Sequence, residues 1–179
     1  SFAGVTASER GSRHCRCGLT PLSFGTPRTL QDEIHQTKPF ARPIDEALLS
    51  ILRTATVLDH AQNEALKPHG ITATQYNVLR ILRGAGQGGL CGREIAERLI
   101  SNVPDVSRLL DRMEDMALLR RERDPSDRRH VTARITAKGQ RVLARSTPSL
   151  TAVASGRVGR LSARQVASLI QCLAALREP

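Results

Sequence analysis

From Pro43 onward the apolar residues fall at helical spacing. Ile44, Leu48, Ile51, Ala55, Leu58 and Ala61 recur three and four positions apart, which predicts an amphipathic helix. Pro43 suits its first turn, and Lys67-Pro68-His69-Gly70 ends it. Thr72-Ala73-Thr74-Gln75 reads as a capping box, in which hydroxyl and amide satisfy two free backbone donors. The helix it opens carries Tyr76, Val78, Leu79 and Leu82 as apolar positions. Gly84 to Gly89 turns the chain and lacks the Lys-Ser/Thr of a phosphate loop. Cys91 to Leu99 predicts a short helix, and Ile100-Ser101-Asn102 a brief turn. A longer helix follows from Val103, with Val103, Val106, Leu110, Met113 and Ala117 on one face at about 100° per residue. Ser101, Pro104, Arg108, Asp111, Arg112 and Asp115 fall on the opposite, polar side. Short helix, turn, longer helix is the helix-turn-helix order.

The period then changes from helical to alternating. Leu118-Leu119-Arg120-Arg121-Glu122-Arg123 predicts a basic strand, and Asp124 to Arg129 a polar turn. Val131, Ala133 and Ile135 alternate with Thr132 and Arg134, as in a half-buried return strand. A helix followed by a basic hairpin is a winged helix-turn-helix, so the expected fold class is mostly α with a small β-wing. Thr136 caps a further helix with Val142, Leu143 and Leu150, which Pro148 is expected to kink or break. Gly156 and Gly159 are expected to loosen the next stretch. A second capping box, Ser162 to Gln165, starts a last helix with Val166, Leu169, Ile170, Leu173 and Leu176.

Composition narrows the partner. The 179 residues hold 27 Lys and Arg against 17 Asp and Glu, a formal net charge of +10. Such an excess points to an anionic partner, nucleic acid or an acidic membrane surface. Between Arg120 and Arg145, nine basic residues face three acidic ones, which favours a nucleic-acid face. Trp is absent and Phe and Tyr are few, so no platform for stacking single-stranded bases is visible. No run approaches the apolar length of a membrane span, and no signal-peptide core is visible, so the expectation is cytoplasmic. Residues 1–40 mix Gly, Ser, Thr, Pro and Arg without a period and read as a disordered tail. The chain begins at Ser1, and a natural start near Leu30 is one expectation.

The strings Asp105-Val106-Ser107-Arg108-Leu109-Leu110-Asp111-Arg112-Met113-Glu114, Leu119 to Arg129 and Ile135-Thr136-Ala137-Lys138-Gly139 together resemble the MarR family of bacterial transcriptional regulators. Ile71 to Tyr76 is similar to that family's second-helix entry. The resemblance covers about residues 43–177. It implies a homodimer: residues 41–70 as an N-terminal dimerisation helix, 71–137 as the DNA-binding region and 138–179 as C-terminal dimerisation helices. It implies a repressor, or at times an activator, that binds a near-palindromic operator in double-stranded DNA. It also implies release by a small aromatic or phenolic effector or by oxidation, and no cofactor. Two positions depart from the family: Cys91 stands where Ser or Thr is usual, and Ala117 where Gly is usual.

The recognition-helix candidates are Ser101, Pro104, Asp105, Ser107, Arg108 and Arg112. Arg108 and Arg112 suit guanine or phosphate, or form an ion-pair ladder with Asp111 and Asp115. Asp105 suits a cytosine amino group or caps the helix. The wing candidates are Arg123, Asp127, Arg128 and Arg129. Asp127 and Arg129 match the family pattern in which an acid steadies the arginine entering the minor groove.

Other constellations are weaker. His14, Cys15 and Cys17 give too few ligands, wrongly spaced, for structural zinc. Cys91 and Cys172 read as redox sensors, or as a part-buried filler and a core or dimer-seam residue. His60 and His69 line a ligand pocket or lie on the surface, and Tyr76 is core or pocket. No catalytic motif appears, so an enzyme is not expected. The alternative function is a winged helix that docks an acidic protein.

Overall fold

The computed structural model describes residues 29–123 and 131–178. Its contacts divide the chain into two units, Ser1–Glu46 and Ala47–Pro179. In the first, Thr29 caps a single helical turn, α1 (Leu30–Glu33), with Asp32 completing a capping box inside the stretch expected to be tail. Helix α2 (Pro43–Leu66) begins at the predicted proline. A 3-10 turn and Gly70, at φ 69°, end it.

Helices α3 (Ala73–Ala85), α4 (Gly92–Arg98) and α5 (Val106–Asp115) follow, then strands β2 (Leu119–Arg123) and β3 (Val131–Ile135). The Thr72–Gln75 box forms in both directions, at 3.2 and 2.9 Å. A two-residue strand, β1 (Leu90–Cys91), pairs with β3, so the sheet order is β1-β3-β2, antiparallel throughout. Two residues are too few to show a period, and the sequence reading missed this strand. Gly89 makes it possible: at φ 69° it passes so close to β3 that a Cβ would lie 2.6 Å from the Ala133 carbonyl oxygen. The core joins Val78, Leu79 and Leu82 of α3, Ile95 of α4, Leu110 and Met113 of α5, Leu118 just before β2, and Leu119 and Ala133 of the sheet.

Helix α6 runs unbroken from Ala137 to Val158, so the expected break at Pro148 does not occur and Gly156 does not end it. Side chains hold the helix through the missing donor. Ser146 and Thr147 donate to carbonyls of the preceding turn at 2.8 and 2.7 Å. Thr147 Oγ1 also meets the Tyr76 hydroxyl at 3.1 Å, and Ser149 Oγ meets His69 Nε2 at 3.1 Å. Tertiary contacts outweigh one lost backbone bond here. Helix α7 (Ala163–Ala175) starts at the predicted Ser162 box.

The end of α5 is strained. Leu118 N donates to the Met113 carbonyl (2.9 Å) and Ala117 N to that of Glu114 (2.7 Å), a Schellman closure. The closure places Ala117 at φ 54°, where its Cβ meets steric resistance. Ala117→Gly should therefore stabilise the protein by about 1 kcal/mol, the relief of a left-handed alanine less the glycine entropy cost. Urea denaturation checks this; a destabilised variant would contradict it.

Candidate nucleic-acid interface

Helix α5 begins three residues later than the sequence pattern predicts. Asp105 is its N-cap, and Asp105 Oδ1 accepts from Arg108 N at 2.9 Å. Ser101 and Pro104 thus lie in the loop between α4 and α5, not on the helix. Pro104 explains the shift, because it biases Val103 away from helical backbone while Asp105 offers a stronger cap. Asn77 of α3 anchors this loop, its Oδ1 accepting from Ile100 N at 3.0 Å. Ser101, Pro104, Asp105, Ser107, Arg108, Arg112 and, at the end of β2, Arg123 are all exposed. Asp127, Arg128 and Arg129 lie outside the described residues, as do His14, Cys15 and Cys17.

The ion pairs differ from the expected ladder. Arg108 Nε pairs with Asp105 Oδ2 at 3.2 Å, with 83% of the arginine side chain still exposed. Such a pair is worth less than about 1 kcal/mol, so Arg108 can be redirected at little cost. Arg112 Nε donates to the Arg108 carbonyl at 3.3 Å. Asp111 and Glu114 instead turn to Arg121 of β2. Arg121 Nε donates to Glu114 Oε2 (2.8 Å), its backbone N to Glu114 Oε1 (2.7 Å), and a second guanidinium nitrogen to Asp111 Oδ1. The sequence reading did not single out Arg121. The signal was there: strand alternation puts Arg121 on the face of Leu119, toward two acids three apart on α5.

Arg121 thereby offsets two carboxylates of α5 and couples that helix to β2. The hydrogen bond from the Arg121 side chain, then that from its backbone, holds the Glu114 carboxyl below the usual carboxylate range. The same partnership raises the Arg121 guanidinium. A depressed folded-state value means that Glu114 adds stability above its unfolded pKa of about 4.3 and loses it as pH falls through the lower folded value. Glu114→Gln should therefore flatten the acid limb of a stability–pH curve; an unchanged limb would contradict this.

From behind, α6 grips the end of α5. Thr136 Oγ1 donates to the Ala117 carbonyl at 2.7 Å, and Lys138 Nζ to that of Met116 at 2.8 Å. Gly139 comes so close that a Cβ would stand 2.1 Å from the Leu118 carbonyl oxygen.

The remaining candidates separate. Tyr76 is core, while His60 is exposed. Cys91 is half-buried at the start of α4, where Glu94 accepts from its backbone N at 2.8 Å, and Cys172 is exposed. Among the described residues no cluster of His, Cys, Asp and Glu is placed to hold a metal, and no helix is long and apolar enough to cross a membrane.

Comparison with known proteins gives this geometry a family. The MarR family model matches residues 71–131, from the approach to α3 through the start of β3. The transcriptional regulator HosA of Escherichia coli O111:H- is 34% identical over 95 residues, 53% of this chain and 69% of HosA. The MarR transcription factor of Planctomyces limnophilus is 30% identical, with a TM-score of 0.60, covering 76% of this chain and 99% of its own. The chain belongs to the MarR family. It is a DNA-binding transcriptional regulator with a winged helix-turn-helix. Sco3205 of Streptomyces coelicolor, a MarR family regulator crystallised in complex with DNA, superposes with a TM-score of 0.66 at 26% identity, covering 78% of this chain and 90% of that one.

Proposed function

We propose that the protein is a homodimeric repressor that reads a near-palindromic operator and releases it on binding a small aromatic or phenolic effector. The observation that carries the reading is the surface of α5. Arg108 and Arg112 stand exposed there while Arg121 pairs with Asp111 and Glu114. Arginines so placed suit guanine edges and phosphates. Ser107 stands beside them, and Ser101 and Pro104 flank the helix entrance. The wing residues Arg123, Asp127, Arg128 and Arg129 complete the proposed contact, with Arg129 in the minor groove.

Two further observations support the dimer. Helix α2 buries only Leu66, and α7 buries none of its side chains. Ile44, Leu48 and Leu52, four apart along one face of α2, and Ile170 of α7 are more than half exposed. Apolar helical faces of this length need a partner, and a second copy would supply one. In a two-fold dimer the reading helices meet half-sites about 34 Å apart. For the effector, a cleft of about 480 Å³ opens beside α3 and α6, lined among others by Leu58, Tyr76, Arg80, Ile100 and Leu150. Its apolar walls and two arginines, Arg80 and Arg83, suit a phenol or an aromatic acid.

Arg108→Ala tests the base-reading part. Discrimination between the operator and a scrambled duplex should fall about tenfold, the worth of one bidentate contact, with sedimentation unchanged. An unaltered ratio would remove Arg108 from base reading.

A further inference from the structure

The sheet carries a second basic site on its other face. Arg121 points to α5, so alternation sends Arg120 and Glu122 the opposite way. Arg134 lies directly across from Arg120 in the β2–β3 register. Two like charges in that relation repel. One carboxylate is shared between them: Glu122 Oε1 is 3.1 Å from Arg120 Nε, and Glu122 Oε2 is 3.2 Å from Arg134 Nε. The second contact lacks hydrogen-bond geometry, and Arg134 Nε is buried without an acceptor among the described residues. Arg83, in the last turn of α3, brings a third guanidinium to the same recess. Gln87 and Gln140 add two amides to its wall. The recess measures about 400 Å³.

Three guanidiniums against one carboxylate leave two positive charges around a concavity that also presents amide donors. We propose that this recess binds a small dianionic oxyanion, the phosphate group of a metabolite or a compact dicarboxylate. Guanidinium forks match both groups. DNA does not account for the cluster, because it sits on the sheet face turned away from α5. Bound anion would tie α3, the wing strands and α6 together, and would so stiffen the base of the wing. The site is distinct from the cleft lined by Leu58 and Tyr76, although Arg83 touches both.

Titration calorimetry with inorganic phosphate and with succinate, each against chloride at equal ionic strength, tests the proposal on the full chain. Phosphate or succinate should bind where chloride does not, and whichever binds tighter identifies the source. Arg120→Gln should weaken that binding about tenfold, a typical loss for one charge-assisted hydrogen bond. Arg83→Gln should do the same from a different element, with thermal denaturation confirming that both variants fold. Operator affinity and its salt dependence should be unchanged in both. Three results would overturn the proposal: no binding beyond chloride, equal binding by the variants, or a variant with a shallower salt slope for operator DNA, which would make the cluster a backbone contact.

Discussion

Arg121→Ala should weaken operator binding roughly thirtyfold, the equivalent of about 2 kcal/mol. The loss has two sources. The carboxylates of Asp111 and Glu114 would lose the cation that offsets them on the proposed DNA-reading helix, beside the phosphates. The wing would also lose its charged tether to α5, made at 2.8 Å to Glu114 and by the neighbouring bond to Asp111. Arg121→Lys should restore part of the affinity, because it keeps the charge but not the fork that reaches both acids. Removing the acids as well, with Asp111→Asn and Glu114→Gln in the Arg121→Ala background, should recover the electrostatic share. Anisotropy titrations at one salt concentration measure all three. If Arg121→Ala binds as tightly as the parent, Arg121 is a surface pair with no bearing on DNA.

Gly139→Ala should destabilise the protein by about 3 kcal/mol, at the upper end of overpacking effects. The added methyl would sit 2.1 Å from a backbone oxygen, that of Leu118, which cannot swing aside as a side chain would. It would push α6 away from the end of α5 and strain the Thr136 and Lys138 bonds to the Ala117 and Met116 carbonyls. For a chain of this length the melting temperature should fall by about 6–12 °C. A fall of less than a degree would mean that α6 and α5 are not held as described. Ala117→Gly, at the end of α5, should shift it the other way.

Much of this architecture is legible in the sequence, and the reasons are local. Thr72–Gln75 and Ser162–Gln165 are capping boxes whose partners lie three residues apart, so a short string contains the whole interaction. The change from helical to alternating period at Leu118 marks the wing, because one face of each strand must meet the core. Ala117 stands where the end of α5 needs a left-handed residue, and its φ of 54° follows. What the sequence hides is non-local. Pro148 looks like a break until Tyr76 and His69, from other elements, bond to the residues around it. Strand β1 exists because Gly89 lets two residues lie against β3. The entrance of α5 is set locally: Pro104 and Asp105 together move the start from Val103 to Val106.

The same division holds for the site. Arg108 and Arg112 are exposed on one face of α5, as their spacing predicts. Their acid partners could not be read from spacing on the helix alone. Asp111 looks like a neighbour of Arg108 until the sheet delivers Arg121 to it. Arg108 then turns to Asp105, the residue that also caps its helix. Pairing across elements thus decides which arginines remain available for DNA.

Fluorescence anisotropy of the protein with the DNA upstream of its own gene and with a scrambled duplex, across a salt series, tests DNA reading most directly. Binding should be tighter to the upstream DNA, and both affinities should fall steeply and log-linearly with salt, as phosphate contacts release counterions. Binding that ignores both salt and sequence, or none even at low salt, would contradict DNA reading by α5 and the wing.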